Sequence, residues 1–326
     1  MSIKRNGEAA VPLTESQCVV YEWPSSDGLL ISRLLPRATR IRARVQDRVE
    51  DIRARVPPGA RAFLFHLSAT FTGRFPLCRA ALIEELGRRG IQVINGAVLD
   101  ISKRTLQLHC RQLGLNSTTG ACPGDPDELL IVKTNMNYGA ADDRVLSWNQ
   151  RRLLGLRRIT REIKRSRDYI VVRRREVKEK WWQDSELAIE RYINNPENRI
   201  FKLYRALDHV AINDMINPHW IKKPSGSTQR VNSFFRLSAS GIETCVQASD
   251  VPSAVIHDGL KLLDHLSMLY GTLDIAMDEA GKCYIIDLNS TPAIPNKPQP
   301  DVVEHLRGAF RGDVSSSPEV KRSVCV

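Results

Sequence analysis

The chain has no C-x-x-C pair, and its seven cysteines, Cys18, Cys78, Cys110, Cys122, Cys245, Cys283 and Cys325, are odd in number and scattered. That pattern indicates neither a zinc site nor a disulfide framework. There is no apolar run of membrane-spanning length, and residues 1–10 carry no signal-peptide pattern, so a cytoplasmic protein is expected. The closing KRSVCV does not place a cysteine where a prenylation box needs it. No G-x-S-x-G motif and no cysteine–histidine dyad points to a covalent nucleophile, and His66, His109 and His265 read as core or surface residues. Internal repeats are also missing.

What is present is a chain of 326 residues with 42% hydrophobic content, enough to bury a substantial core in two or more lobes. Its formal charge of +11 and pI near 9.5 favour an anionic partner: a phosphorylated ligand, a carboxylate, nucleic acid or an acidic membrane surface.

Residues 40–56 place Ile41, Val45, Val49, Ile52 and Val56 on one stripe, which predicts an arginine-covered helix stopped by Pro57, Pro58 and Gly59. AFLFHL (62–67), a helix from Pro76 to Arg89 and IQVIN (91–95) then give a strand, helix, strand order, the signature of a parallel α/β unit. A helix over 100–114 follows, with Asp100 or Ser102 as its cap and Gly114 as its stop. A Gly, Pro, Ser and Thr loop (114–127) leads into ELLIVKT, and 151–180 is the most basic stretch of the chain. ELAIERYI (186–193) and RIFKLYRAL (199–207) read as strands, and 258–271 as an amphipathic helix feeding a hairpin. Beyond Pro300 the composition turns polar and serine-rich, so a loose tail is expected from about residue 311.

The hairpin, GTLDIAMDEAGKCYIIDLNSTP (271–292), interrupts its apolar run with Asp274, Asp287 and Asn289. Asp287 and Asn289 are two apart and share a strand face, which Asp274 reaches from the partner strand. Carboxylates gathered on an apolar sheet call for a cation, and oxygen donors without histidine or cysteine favour Mg²⁺. The alternative reading makes them polar strand ends, with Asn289 capping the turn before Thr291-Pro292.

The order D-x-x-x-D-x(8)-D-x-N-x-x-P after a helix ending in YGTLD resembles the metal-binding end of the ATP-grasp superfamily, which includes glutathione synthetase and D-alanine:D-alanine ligase. The resemblance spans roughly residues 60–297. It implies an α/β (α+β) fold: a Rossmann-like pre-ATP-grasp domain over 1–100, then an ATP-grasp domain over 101–310, with a central lobe to about 187, a C-terminal lobe from about 188, and a tail over 311–326. It further implies that Asp274, Asp287 and Asn289 hold Mg²⁺, with Mn²⁺ as substitute, against ATP phosphates. Lys103 and Lys133 would reach those phosphates. Glu190 would accept from the adenine amino group, the backbone near Tyr192 and Ile193 would meet the ring edge, and Glu197, or Asn194 or Asn195, would bind the ribose. Lys202 and Arg205 would face the triphosphate and the transferred phosphoryl group.

Two departures stand out. The strand lysine is followed by K-T-N-M-N-Y-G-A, with a single glycine at Gly139, so Asn135 and Asn137 are expected to shape the phosphate-covering loop. Thr272 stands where some relatives place an arginine, and Arg230 or Arg236 would substitute from a neighbouring strand. The segment 142–180 reads either as an insertion that recognises an anionic substrate or as a solvated basic face.

The function implied is an ADP-forming ligase that activates a carboxylate as an acyl phosphate and couples it to an amine. The expected partners are small-molecule or peptide acid and amine substrates of anionic character. No membrane and no nucleic-acid partner is expected, and a homodimer is left open. The alternatives are an ATP-grasp small-molecule kinase and a non-catalytic nucleotide sensor. A nucleic-acid surface at 151–180 ranks last, because no RNA-recognition or helix-turn-helix signature accompanies it.

Overall fold

The computed structural model describes residues 13–23, 29–68, 75–136, 146–155, 163, 169–221, 229–293 and 300–311. In its first part β1 (Cys18–Glu22), α1 (Leu30–Leu34), β2 (Thr39–Arg42), α2 (Val49–Arg55), β3 (Ala62–His66), α3 (Arg79–Arg88) and β4 (Gln92–Ile94) alternate. The strands form a parallel sheet in the order β2-β1-β3-β4. Every residue of β1 and β3 is buried, as expected of strands covered on both faces. Tyr21, Phe63 and Phe65 pack with Ile52 and Leu82 on one face. Val20 and Leu64 pack on the other with Ile31, Leu34 and residues from the far end of the chain.

The helix expected over 40–56 is corrected here. Thr39–Arg42 pairs with β1 as a strand, and helix begins only at Val49. Two buried acids account for the difference. Glu22, 2% exposed, takes Arg40 and Arg42 at 3.0 Å each, and only a strand sets both arginines on one side with Ile41 turned inward. Asp47 accepts from the Tyr21 hydroxyl at 2.8 Å, the Arg44 N–H at 2.9 Å and the Arg55 guanidinium at 2.6 Å, which pins the turn before α2.

The next part holds α4 (Lys103–Gln112), β5 (Leu129–Thr134), α5 (Trp148–Leu153), β6 (Ile170–Arg173), α6 (Glu179–Gln183) and β7 (Leu187–Arg191). Ser102 occupies the N-cap of α4, and Gly114 lies beyond its end at φ +69°, where a Cβ would be strained. The strands form an antiparallel sheet in the order β6-β5-β7, with Thr119 bridging to Glu190 at its edge. Leu130, Val132, Leu187 and Trp181 build its core.

The last part is an antiparallel sheet of six strands. It contains β8 (Arg199–Ala206), β9 (His209–Ile216), β10 (Gln229–Ser238), β11 (Gly241–Val246), α7 (Ser253–His265), β12 (Tyr270–Met277), β13 (Cys283–Asn289) and α8 (Pro300–Arg311). The strand order is β11-β10-β9-β8-β12-β13. Phe201, Leu203, Leu273 and Ile275 face α4 and α7, while Tyr204, Ala206 and Tyr270 face α1 and α8. β9, β10, β11 and α8 carried no assignment in the sequence reading. The helix α8 is amphipathic, burying Val302, His305, Leu306 and Phe310. The tail expected after residue 311 lies outside the described residues.

Asn95, just past β4, is one of the residues that join the first sheet to the last. Asn95, at φ +59°, donates its Nδ2 to the Tyr270 carbonyl at 2.6 Å. Its Oδ1 accepts from the Leu269 and Tyr270 N–H groups at 3.0 and 3.1 Å.

Candidate active site

The two carboxylates of the hairpin meet because of a bulge. Asp274 is the register partner of Asp287, yet the next residue, Ile275, pairs with Ile285, so Ile286 is the extra residue of β13. In regular alternation Ile285 and Asp287, two residues apart, would share a face. With Ile286 bulged out of the ladder, Ile285 turns into the core under α4 and α7, and Asp287 turns to the side of Asp274. Thr272 pairs with Asn289 one step along, which puts Asp274, Asp287 and Asn289 on one face.

Lysines compensate the pair. Lys202 stands opposite Asp274 on β8 and donates to its Oδ1 at 2.9 Å. Lys103, at the first turn of α4, is 2% exposed and lies 3.6 Å from Asp287 Oδ1, with the Met136 carbonyl at 3.4 Å. Burial alone would depress its ammonium, but the Asp287 carboxylate, Tyr169 and Glu190 outweigh that and hold its pKa above the ordinary lysine value.

A second buried pair lies on the three-stranded sheet. Lys133 donates to Glu190 Oε2 at 2.7 Å, and Thr118 Oγ1 donates to the same oxygen at 3.0 Å. Glu190 is 2% exposed, and among the described residues its Oε1 has no hydrogen-bond partner. A buried acceptor left open in this way calls for a donor, from water or from a ligand.

Between the two sheets lies a cleft that is open to solvent. Charged groups gather in it: Lys103, Lys133, Glu190, Asp274 and Asp287. Apolar walls come from Ile131, Ile193, Ala276 and Ile286. Tyr192 stacks on Trp220 with ring centroids 5.5 Å apart, and its hydroxyl donates to the Trp220 carbonyl at 3.0 Å. The Tyr192 N–H is taken by the Leu129 carbonyl at 2.9 Å, so its amide belongs to the sheet.

The sequence-derived residues thus divide. Lys103, Lys133, Glu190, Tyr192, Ile193, Asp274 and Asp287 line the cleft, and Lys202 is bonded to Asp274 within it. Arg205 does not belong there. Odd-numbered residues of β8 face α7, and Arg205 is spent on Asp264 at 2.7 Å and the Leu207 carbonyl at 3.0 Å. Glu197 is exposed and outside the lining, whereas Asn195 is buried within it. Asn289 Oδ1 accepts from the Thr291 N–H at 2.8 Å and from the Thr291 hydroxyl at 3.4 Å, which caps the turn as the alternative reading had it. Arg230 lies on β10 opposite Met215, and its side chain is outside the described residues. Arg236 is 3.8 Å from Asp208.

Asn135 does not shape a phosphate loop. Its Oδ1 accepts from the Arg104 N–H at 3.0 Å, and its Nδ2 donates to the Ser185 carbonyl at 3.1 Å. Asn137 and Gly139 lie outside the described residues. Tyr169, Trp220 and Ile221 line the cleft but were missed, because each comes from a segment with no motif of its own.

The donor set at Asp274, Asp287 and Asn289 fits a hard cation. The two carboxylate side chains are 17% and 38% exposed, so a metal that keeps waters can reach them. Among the described residues no group of three His, Cys, Asp or Glu gathers, so a cation here relies on ligands from solvent or substrate.

Part of the basic stretch is neutralised internally. Arg173 and Arg175 each lie 2.9 Å from Asp127, Arg174 pairs with Glu128, and Arg191 lies 2.9 Å from Glu128. These arginines fasten the loop before β5. No helix among the described residues is long and apolar enough to cross a membrane.

No protein-family model matches the chain, and no curated protein does. Solved structures are similar to it. The ATP-grasp ligase PsnB complexed with minimal precursor is alike over 90% of this chain and 99% of that one, at 12% identity and a TM-score of 0.49. N5-carboxyaminoimidazole synthetase from Staphylococcus aureus is alike over 92% and 78%, at 8% identity and a TM-score of 0.49. D-alanyl-alanine synthetase A from Vibrio cholerae is alike over 92% and 98%, at 11% identity and a TM-score of 0.45.

Proposed function

We propose that the chain is an ATP-grasp ligase that uses ATP and Mg²⁺ to activate a carboxylate as an acyl phosphate and joins it to an amine, releasing ADP. The observation that carries this reading is the convergence of Asp274, Asp287, Lys103 and Lys202 with the Lys133–Glu190 pair in one cleft between two antiparallel sheets.

Each residue has a task in it. Glu190 Oε1, buried and open, accepts the exocyclic amino group of adenine. Ile131, Ile193, Ala276 and Ile286 form the slot for the ring, and apolar walls of this kind exclude water and favour a flat base. Asn195 lies in the lining where Glu197 does not, although its amide is bonded to the Arg199 main chain at 2.7 and 3.2 Å. Lys103 and Lys133 offer ammonium donors to the phosphates, and a lysine with several N–H groups serves an anion while keeping a protein partner.

Asp274, Asp287 and Asn289 would hold Mg²⁺, which neutralises phosphate charge when bound. Lys202 holds the Asp274 carboxylate in place from the next strand. Negative charge builds on oxygen in both half-reactions, and fixed cations in a partly dry cleft lower that barrier by preorganisation. Arg205 is turned away, which leaves Arg230 or Arg236 as the residue to steady the acyl phosphate.

The test is ADP release by purified protein given ATP, Mg²⁺ and a panel of amino acids and short peptides. The ligase reading requires ADP formation that depends on both an acid and an amine. ADP formed with the acid alone marks a kinase, and tight nucleotide binding without any ADP marks a sensor.

A further inference from the structure

Away from the cleft, two imidazoles that the proposed chemistry does not use meet where α4 packs on α7. His109 Nδ1 lies 3.1 Å from His265 Nε2, with ring centroids 5.1 Å apart and planes at 63°. His265 is exposed and His109 half-buried, so solvent reaches both. The two helices are fixed on each other without them. Lys261 Nζ donates to the Leu113 carbonyl at 2.8 Å, and Leu106 and Cys110 share an apolar cluster with Leu260 and Leu263. The imidazole pair is therefore set in position by the fold.

Facing nitrogens of this kind suit two arrangements. One neutral ring can donate N–H to the other, or both can turn lone pairs to a cation between them. Two metal–nitrogen bonds of about 2.0–2.1 Å at a tetrahedral angle hold the nitrogens roughly 3.3 Å apart. The observed 3.1 Å needs only a small rotation of either ring to reach that.

We propose that His109 and His265 form a surface site for a borderline divalent transition metal of the zinc, nickel or copper class, with water completing its coordination. Paired imidazoles favour these ions over Mg²⁺, which separates this site chemically from Asp274 and Asp287. No third His, Cys, Asp or Glu joins the pair among the described residues, so the site is open and the remaining ligands are waters. A bound ion ties α4 to α7. The first residue of α4 is Lys103, and Gln107 one turn on donates to the Ile285 carbonyl at 2.8 Å, so the tie steadies the helix that walls the cleft. The proposal does not depend on what the cleft binds.

The experiment is calorimetric titration of the chelator-treated full chain with Zn²⁺ and with Ni²⁺, in the presence of excess Mg²⁺. One saturable site per chain is expected, and His109→Gln or His265→Gln should each weaken it by at least about tenfold. No saturable binding in the micromolar range, or binding unchanged in the double variant, overturns the proposal. A second readout needs no variant: substoichiometric Cu²⁺ should broaden the imidazole proton resonances of two of the seven histidines first. Even broadening over all of them marks adventitious binding and also overturns it.

Discussion

Asp274 and Asp287 are register partners across β12 and β13, and a single extra residue, Ile286, is what turns Asp287 to the side of Asp274. A metal site placed there depends on the carboxylates and on little else nearby. Asp287→Asn should therefore lower turnover by about 10²–10³-fold, the scale of losing one preorganised electrostatic contact. Its fold should persist, because the side chain is 38% exposed and Lys103 keeps the Met136 carbonyl. Steady-state ADP release and circular dichroism on the same preparation check both halves.

Deleting Ile286 tests the bulge itself. The ladder would become regular with Asp274 still opposite Asp287 and Ile275 still opposite Ile285, so both carboxylates stay on one face while one apolar wall of the cleft is lost. The deletion variant should therefore keep magnesium-dependent nucleotide binding that Asp287→Asn loses, with weaker affinity than the unaltered chain.

The Lys133–Glu190 pair is buried at both ends, with side chains 8% and 3% exposed. Removing either partner alone leaves an uncompensated charge, so Lys133→Met or Glu190→Gln should each cost about 3–5 kcal/mol of stability. The double variant should cost less than the sum, with a coupling of about 0.5–3 kcal/mol from a double-mutant cycle in denaturant. Additive losses would show that the pair is not coupled.

Asn95 carries three hydrogen bonds between the first and last sheets from a left-handed backbone conformation. Asn95→Ala loses the bonds and strains the backbone, whereas Asn95→Gly loses only the bonds. Alanine should cost about 1 kcal/mol more than glycine in chemical denaturation, since Ala at positive φ carries the penalty that Gly avoids.

His305 gives a pH dependence of defined sign. Burial, then the neighbouring His209, pushes its pKa down from 6.5 to about 4. Its Nε2 sits 3.2 and 3.1 Å from the Val210 and Phe235 carbonyls, and Arg236 adds positive charge nearby. Between those two values the unfolded chain binds a proton that the folded one does not, so stability falls as pH drops. Above 6.5 and below about 4 this contribution is flat. His305→Gln should flatten the slope of unfolding free energy over that window.

How much of this was legible in sequence follows from the kind of signal each element carries. Asp274 and Asp287 were singled out because polar residues in apolar strands conflict with burial, and the conflict shows in sequence, whereas Lys133 and Glu190 followed only from the family resemblance. The parallel sheet was found from strand and helix periods. The misread segment at 40–56 has helical spacing and still begins as a strand, because its fate is set by Glu22 and Asp47 on or beside distant residues. Arg205 was misplaced by strand parity: it is three residues from Lys202, so the two face opposite ways. The bulge at Ile286 left no trace in composition, and the Tyr192–Trp220 stack joins residues just past the ends of β7 and β9.

The central claim is that the cleft binds an adenine nucleotide through a magnesium ion held by the hairpin. Calorimetric titration with a non-hydrolysable ATP analogue tests it most directly, with and without Mg²⁺, on the unaltered chain and on Asp287→Asn. Tight binding that needs both the metal and the carboxylate is the result expected. Affinity that is absent, or that is the same without magnesium, would contradict the account.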